Sequence, residues 1–127
     1  MNIGWAVEDF RPRRGTGRVA WGLAPWLAAR GHSITGYCIR HGTPEHSGVR
    51  VEPLQTPLRG LWRRLCFMRW VAEQHRAKRY DLMHGFGRTT AHDVYRAGGG
   101  VHAAWLGERG GSWSWRDRLD VRIDRAA

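Results

Sequence analysis

The sequence predicts an α/β protein, a parallel sheet with flanking helices wound in the Rossmann manner. Three observations predict it. Short, mostly apolar runs recur at residues 1–7, 33–39, 49–53, 80–84 and 92–97. Two longer stretches, with apolar residues three and four positions apart, lie between the first and second runs and between the third and fourth. The resulting order, β-α-β-β-α-β-β, places helices between strands as parallel pairing requires.

The first strand begins almost at Met1 and is followed by a polar loop over residues 8–15 containing Pro12 and three arginines. A helix then starts at Thr16, a suitable N-cap, with Ala20, Leu23, Ala24, Leu27 and Ala28 on one face. Pro25 should kink it, and Gly31 should end it in the left-handed conformation. Ile34, Tyr37, Cys38 and Ile39 mark the second strand, residues 40–48 a loop, and residues 49–53 a short third strand. Pro57 opens a second helix running to about Lys78. Leu58, Leu61, Trp62, Leu65, Cys66, Met68 and Val71 are its apolar positions, and arginines fill its other faces. Beyond Gly98-Gly99-Gly100 come a short helix, a glycine-rich turn and a second helix starting from Ser112 or Ser114.

Composition narrows the partners. The 127 residues carry 21 Lys and Arg against 11 Asp and Glu, a formal charge of +10, nearly all of it arginine, together with eight tryptophans. Such a surface suits nucleic acid, an anionic membrane face, or acidic sugar and phosphate substrates, while a genomic base bias enriches the same residues without function. The arginines are spread over loops and both helices, with no nucleic-acid motif, which argues against nucleic acid. Cys38 and Cys66 lack metal spacing and are too sparse for a disulfide framework, so both are expected as buried free thiols in a reducing compartment. His41, Glu45 and His46 form a chance cluster rather than a metal site. No apolar run reaches the ~18–20 residues of a spanning helix, and no signal-peptide pattern opens the chain.

One family resemblance rests on specific residues. Arg14-Gly15-Thr16-Gly17-Arg18-Val19, followed by Leu23-Ala24-Pro25-Trp26-Leu27-Ala28-Ala29-Arg30-Gly31-His32-Ser33-Ile34, resembles the glycine loop and the Leu-Ala-x-x-Leu-Ala-x-Arg-Gly-His helix exit of family 4 glycosyltransferases. His84-Gly85-Phe86-Gly87 and then Asp93-Val94-Tyr95 are most similar to the bacterial lipopolysaccharide core glucosyltransferases. The resemblance covers residues 1–106, with Arg14 standing where many relatives carry glycine. It implies the N-terminal, acceptor-side half of a two-domain GT-B fold in a retaining hexosyltransferase. Residues 107–127 would then be a basic Trp/Arg-rich segment starting an interdomain or membrane-facing element.

The resemblance implies no cofactor. The nucleotide sugar is a substrate held mainly by a C-terminal domain carrying a Glu-x7-Glu motif, and this chain shows no such motif. It is therefore expected to be a truncated frame, a split subunit or a fragment, inactive alone, with a separate C-terminal domain chain as one partner. A glycan or lipid-linked acceptor is the other substrate, which places the protein in the cytoplasm, peripheral on the inner face of the membrane.

Candidate site residues follow. Gly15, Thr16 and Gly17 let backbone N–H groups at a helix start approach a phosphate or hydroxyl, and Arg18 on the first turn can clamp a phosphate; a tight turn and a solvated arginine are the plainer readings. His84 ends a strand at the carboxyl edge, where open α/β sheets bind ligands. Asp93 can bond acceptor hydroxyls or cap a turn, and His102 lies just past the glycine run. Trp105, Trp113 and Trp115 with Arg116 and Arg118 suit a membrane surface, or packing against a further domain. A basic membrane-surface or nucleic-acid-binding module without catalysis is the alternative function.

Overall fold

The computed structural model describes residues 1–13, 15–42, 48–97, 102–112 and 114–126, and the side chains of all of these except 102, 103, 105 and 124. In chain order the elements are β1 (Asn2–Ala6), β2 (Asp9–Phe10), α1 (Gly15–Ala28), β3 (Ser33–Cys38), β4 (Arg40–His41), β5 (Val49–Pro53), α2 (Gly60–Arg76), β6 (Leu82–Gly85), β7 (Val94–Tyr95), α3 (His102–Arg109) and α4 (Trp115–Ala126). Five strands form one sheet in the order β5-β3-β1-β6-β7, and every pairing in it is parallel. The expected Rossmann-like α/β fold is thus present. The chain winds outward from β1 to β5, then crosses through α2 and resumes beside β1 as β6. The direction of winding reverses between β1 and β6, and ligands gather outside the carboxyl ends of strands at such a reversal.

The two-residue period of β1 divides the core. Ile3, Trp5 and Val7 join Ala20 and Ala24 of α1, with Ile34, Cys38 and Phe86. Ala6 faces the other way, with Tyr37, Met83 and, from α2, Phe67 and Val71. Trp5 is fully buried and meets Phe86 edge-on at 5.1 Å between ring centroids and Phe10 at 6.4 Å. Burial of side chains of this size is worth roughly 1.5–3 kcal/mol each. Reciprocal bonds close the lower end of the sheet: Asn2 N–H donates to the Asp81 carboxylate at 2.7 Å and Asp81 N–H to the Asn2 carbonyl at 2.8 Å.

Several local expectations change. The loop after β1 is pinned rather than free, because β2 pairs with β4 in a separate parallel ribbon and Phe10 is buried against Trp21. Two-residue strands are too short to show a period. α1 already includes Gly15, so Thr16 lies inside the first turn and is not its N-cap. The helix runs on through Pro25, which forgoes only the bond to the Trp21 carbonyl. Gly31 does cap it, at φ +80°, with Gly31 N–H on the Ala28 carbonyl and His32 N–H on the Leu27 carbonyl. α2 starts at Gly60, not Pro57, since Gly60 itself takes φ +55°. Trp62, expected on its apolar face, is 69% exposed. Cys38 is buried and Cys66 half-buried, both as free thiols, and burial pushes the Cys38 thiol up to about 12. Ser114, one of the two expected starts, caps α4: its hydroxyl accepts from Asp117 N–H at 3.2 Å, while the Asp117 carboxylate accepts from Ser114 N–H at 2.8 Å. Glu45, His46, Gly98, Gly99 and Gly100 lie outside the described residues.

Candidate functional site

A cavity of about 530 Å³ opens at the carboxyl edge of the sheet. Its floor is Glu8 and Asp9, which follow β1, with Ile39 and Arg40, which follow β3. One wall is the first turn of α2, from Gly60 to Arg64; the other is Arg116, Leu119 and Asp120 of α4. The fold explains this assembly. Parallel strands deliver their carboxyl ends to one edge, and α2 returns toward the opposite edge, so its N-terminus also lies there.

A chain of ion pairs crosses the cavity. The Arg64 guanidinium reaches Glu8 at 3.4 Å and Asp120 at 3.4 Å, and Arg88, from the loop after β6, reaches the other Asp120 oxygen at 2.7 Å. Four separate segments are thereby joined at the reversal point. Burial raises the Glu8 carboxyl above its ordinary value, outweighing the lowering by Arg64 and Arg88. A carboxylate kept uncomfortable in a cleft is a frequent mark of a working site.

The two loop glycines have different roles. Gly17 is buried, and a Cβ there would stand 2.2 Å from the Asp9 carbonyl oxygen and 2.8 Å from that of Arg11. It serves close packing of α1 on the segment around β2. Gly15, at φ +37°, faces open space, with nothing within 4 Å of its Cβ position. Arg18 is exposed and does not line the cavity.

The His84 ring stacks on Phe86 at 4.0 Å, and its pKa is held below the ordinary value by burial, then by Arg96 and His92, so it is neutral at pH 7. The Asp93 carboxylate is occupied structurally: one oxygen accepts from Met83 N–H at 2.7 Å and the other pairs with His75 of α2 at 3.1 Å. These bonds face away from the carboxyl edge and tie β7 to β6 and α2.

The Met83 N–H, followed by His75, holds the Asp93 carboxyl below its ordinary value. A lowered carboxylate contributes stability above its unfolded pKa and loses it as pH falls through the folded one. Asp93→Ala is therefore expected to cost about 1 kcal/mol at pH 7, with the deficit vanishing under acid conditions. Urea titrations at pH 7 and pH 3 check this, and equal deficits at both would contradict it.

Trp113 lies outside the described residues, as do the side chains of His102 and Trp105, although both of the latter fall within α3. Trp115 is 61% exposed at the start of α4, with the Arg116 guanidinium 5.3 Å from its ring centroid. Arg118 is exposed. Arg116 thus belongs to the cavity wall as well as to the surface. Glu8, Arg64, Arg88 and Asp120 are not distinguished by sequence reasoning. Only Glu8 carries a signal, an acidic residue directly after an apolar strand.

No family model matches the sequence, and no curated protein matches it. Among solved structures the chain is similar to WaaG, a glycosyltransferase involved in lipopolysaccharide biosynthesis, with a TM-score of 0.86 and 20% identity. The match covers 98% of this chain and 35% of WaaG, so the chain spans about a third of that protein's length. The fold is accordingly a Rossmann-like α/β fold that matches part of a GT-B glycosyltransferase.

Proposed function

We propose that this chain is the acceptor-side domain of a retaining hexosyltransferase, working with a donor-binding domain that holds the nucleotide sugar. Its acceptor is a lipid-linked or cell-envelope glycan. The observation that carries this reading is the charged cavity at the carboxyl edge of the sheet, beside the ends of β1 and β3, on a fold shared with WaaG along 98% of the chain. In such enzymes charge stabilisation of the departing diphosphate dominates the chemistry, so the acceptor side needs to bind, orient and exclude water. Gly15, Thr16 and His84 do not line that cavity and remain candidates for acceptor contacts elsewhere along the carboxyl edge. Transfer requires the donor half, and the chain alone does not turn over.

Membrane contact fits the same geometry. No helix among the described residues is long and apolar enough to cross a membrane. Exposed Trp62 and Trp115 each adjoin a cavity-lining arginine, Arg63 and Arg116. An aromatic and cationic rim at the cavity mouth suits an acceptor whose lipid lies in an anionic leaflet, and the reading places the protein at the cytoplasmic face of that membrane.

Vesicle co-sedimentation tests both parts. The chain should bind phosphatidylglycerol vesicles carrying rough-type lipopolysaccharide more tightly than vesicles without it. Binding should weaken with salt and yield to free core oligosaccharide. Indifference to the glycolipid, or complete displacement by duplex DNA, would instead favour a simple basic binding module.

A further inference from the structure

We infer that the cavity recognises an anionic substituent, a phosphate or a carboxylate, on its sugar acceptor, held by Arg40, Arg63 and Arg116. This rests on the glycosyltransferase reading and names the substrate class within it. The argument is one of charge balance. Three acidic residues line the cavity, Glu8, Asp9 and Asp120. Each has a cationic partner: Asp9 is paired by Arg11, while Arg64 bridges Glu8 and Asp120 and Arg88 completes Asp120. These pairs leave three further arginines lining the cavity, one from β4, one from α2 and one from α4. None of the three has a carboxylate within salt-bridge distance among the described residues. Arg116 leans on Trp115, which orients it without neutralising it.

Three guanidiniums outside any salt bridge among the described residues surround one cavity, Arg40 also acting on Glu8 at longer range. Together they raise its potential and attract an anion of matching fork geometry. The adjoining end of α2 adds to this, because its cap residue Arg59 makes no side-chain bond and its first turn holds no acidic residue. Meanwhile the Glu8 and Asp120 carboxylates, fixed by Arg64, stand ready to accept bonds from neutral hydroxyls. The three arginines would thus read charge and the two carboxylates would read hydroxyls, the combination a charged sugar presents.

Titration of the 127-residue chain, followed by nuclear magnetic resonance, tests this with four probes: glucose 6-phosphate, glucuronate, glucose and UDP. Both anionic sugars should bind saturably, with shifts at Glu8 and Arg64, and glucose at least tenfold more weakly. The Arg63→Gln/Arg116→Gln pair should weaken the anionic sugars tenfold or more, while Arg30→Gln, at the far end of α1, changes nothing. Among the described residues these arginines make no ion pair, so the variants should melt like the parent, which confirms that any loss is local. Equal binding of glucose and the anionic sugars would overturn the inference and leave the sugar-binding reading intact. Binding of no sugar at all would overturn both. UDP binding more tightly than either anionic sugar, with the same sensitivity to Arg63 and Arg116, would reassign the cavity to a donor diphosphate and overturn the acceptor assignment.

Discussion

Gly17→Ala is expected to cost about 3 kcal/mol or more and to lower Tm by roughly 10 °C, whereas the same change at Gly15 should cost only about 1 kcal/mol. The difference comes from what each new methyl group meets. At Gly17 it would stand 2.2 Å from the Asp9 carbonyl oxygen, with the Arg11 carbonyl and amide at 2.8 and 3.0 Å. All three are backbone atoms, and Asp9 is held by the ribbon with β4, so neither side can yield without parting α1 from the core. At Gly15 the methyl group enters open space and pays only for the left-handed backbone, φ +37°. Thermal melts of the two variants decide the matter. Comparable losses at both positions, or none at Gly17, would show that the close approach is not rigid. Within the glycine loop the proposed ligand role therefore falls to Gly15 and Thr16, and Gly17 serves packing. Gly15→Val should reduce acceptor binding in a chain that still folds.

Arg64→Met should cost about 1–3 kcal/mol at pH 7, because it removes the guanidinium that forms salt bridges to both Glu8 and Asp120. Asp120 keeps Arg88, so most of the penalty falls on Glu8. Burial already raises the Glu8 carboxyl above 4.5, and losing Arg64 raises it further. A carboxyl raised in the folded state loses stability as pH climbs from the unfolded value through the folded one. The deficit of Arg64→Met is therefore full above the variant's own Glu8 pKa. It shrinks as pH falls toward 4.5, leaving only what the loss of contact with Asp120 costs. Glu8→Gln added to Arg64→Met should restore stability at pH 7. Denaturant midpoints at pH 7 and pH 4.5 for the single and double variants check this. A pH-independent deficit, or no restoration by Glu8→Gln, would show that Arg64 acts through packing alone.

The contrast between these two sites shows what the sequence makes legible. Strands at residues 33–38 and 49–53 and the helix ending at Gly31 follow from apolar period and turn chemistry, which are local properties. Gly15 and Gly17 look alike in sequence because the distinction is a distance to Asp9, across a ribbon of two-residue strands that no period reveals. Arg64 is equally hidden. It is one arginine among several on α2, and only the crossover of the chain sets it against Glu8 and Asp120. His84 is expected as a site residue because strand ends at the carboxyl edge are privileged positions, but its ring stacks on Phe86 and does not line the cavity. The structural occupation of Asp93 is not legible, since its partners Met83 and His75 come from β6 and α2.

The central place of β1 also bears on how the chain is made. β1 emerges early, and β3 can pair with it once residue 38 is available. Its other edge must wait for β6, about forty residues later. At ribosomal speeds that edge stays open for seconds, a long time beside the microseconds in which a hairpin closes. An unpaired, largely apolar parallel edge can recruit a strand from a neighbouring nascent chain during this interval. Arrival of β6, secured by the reciprocal bonds between Asn2 and Asp81, ends the competition. A longer delay between β3 and β6 is therefore expected to lower yield on synthesis, a kinetic effect that the stability of the finished fold does not report.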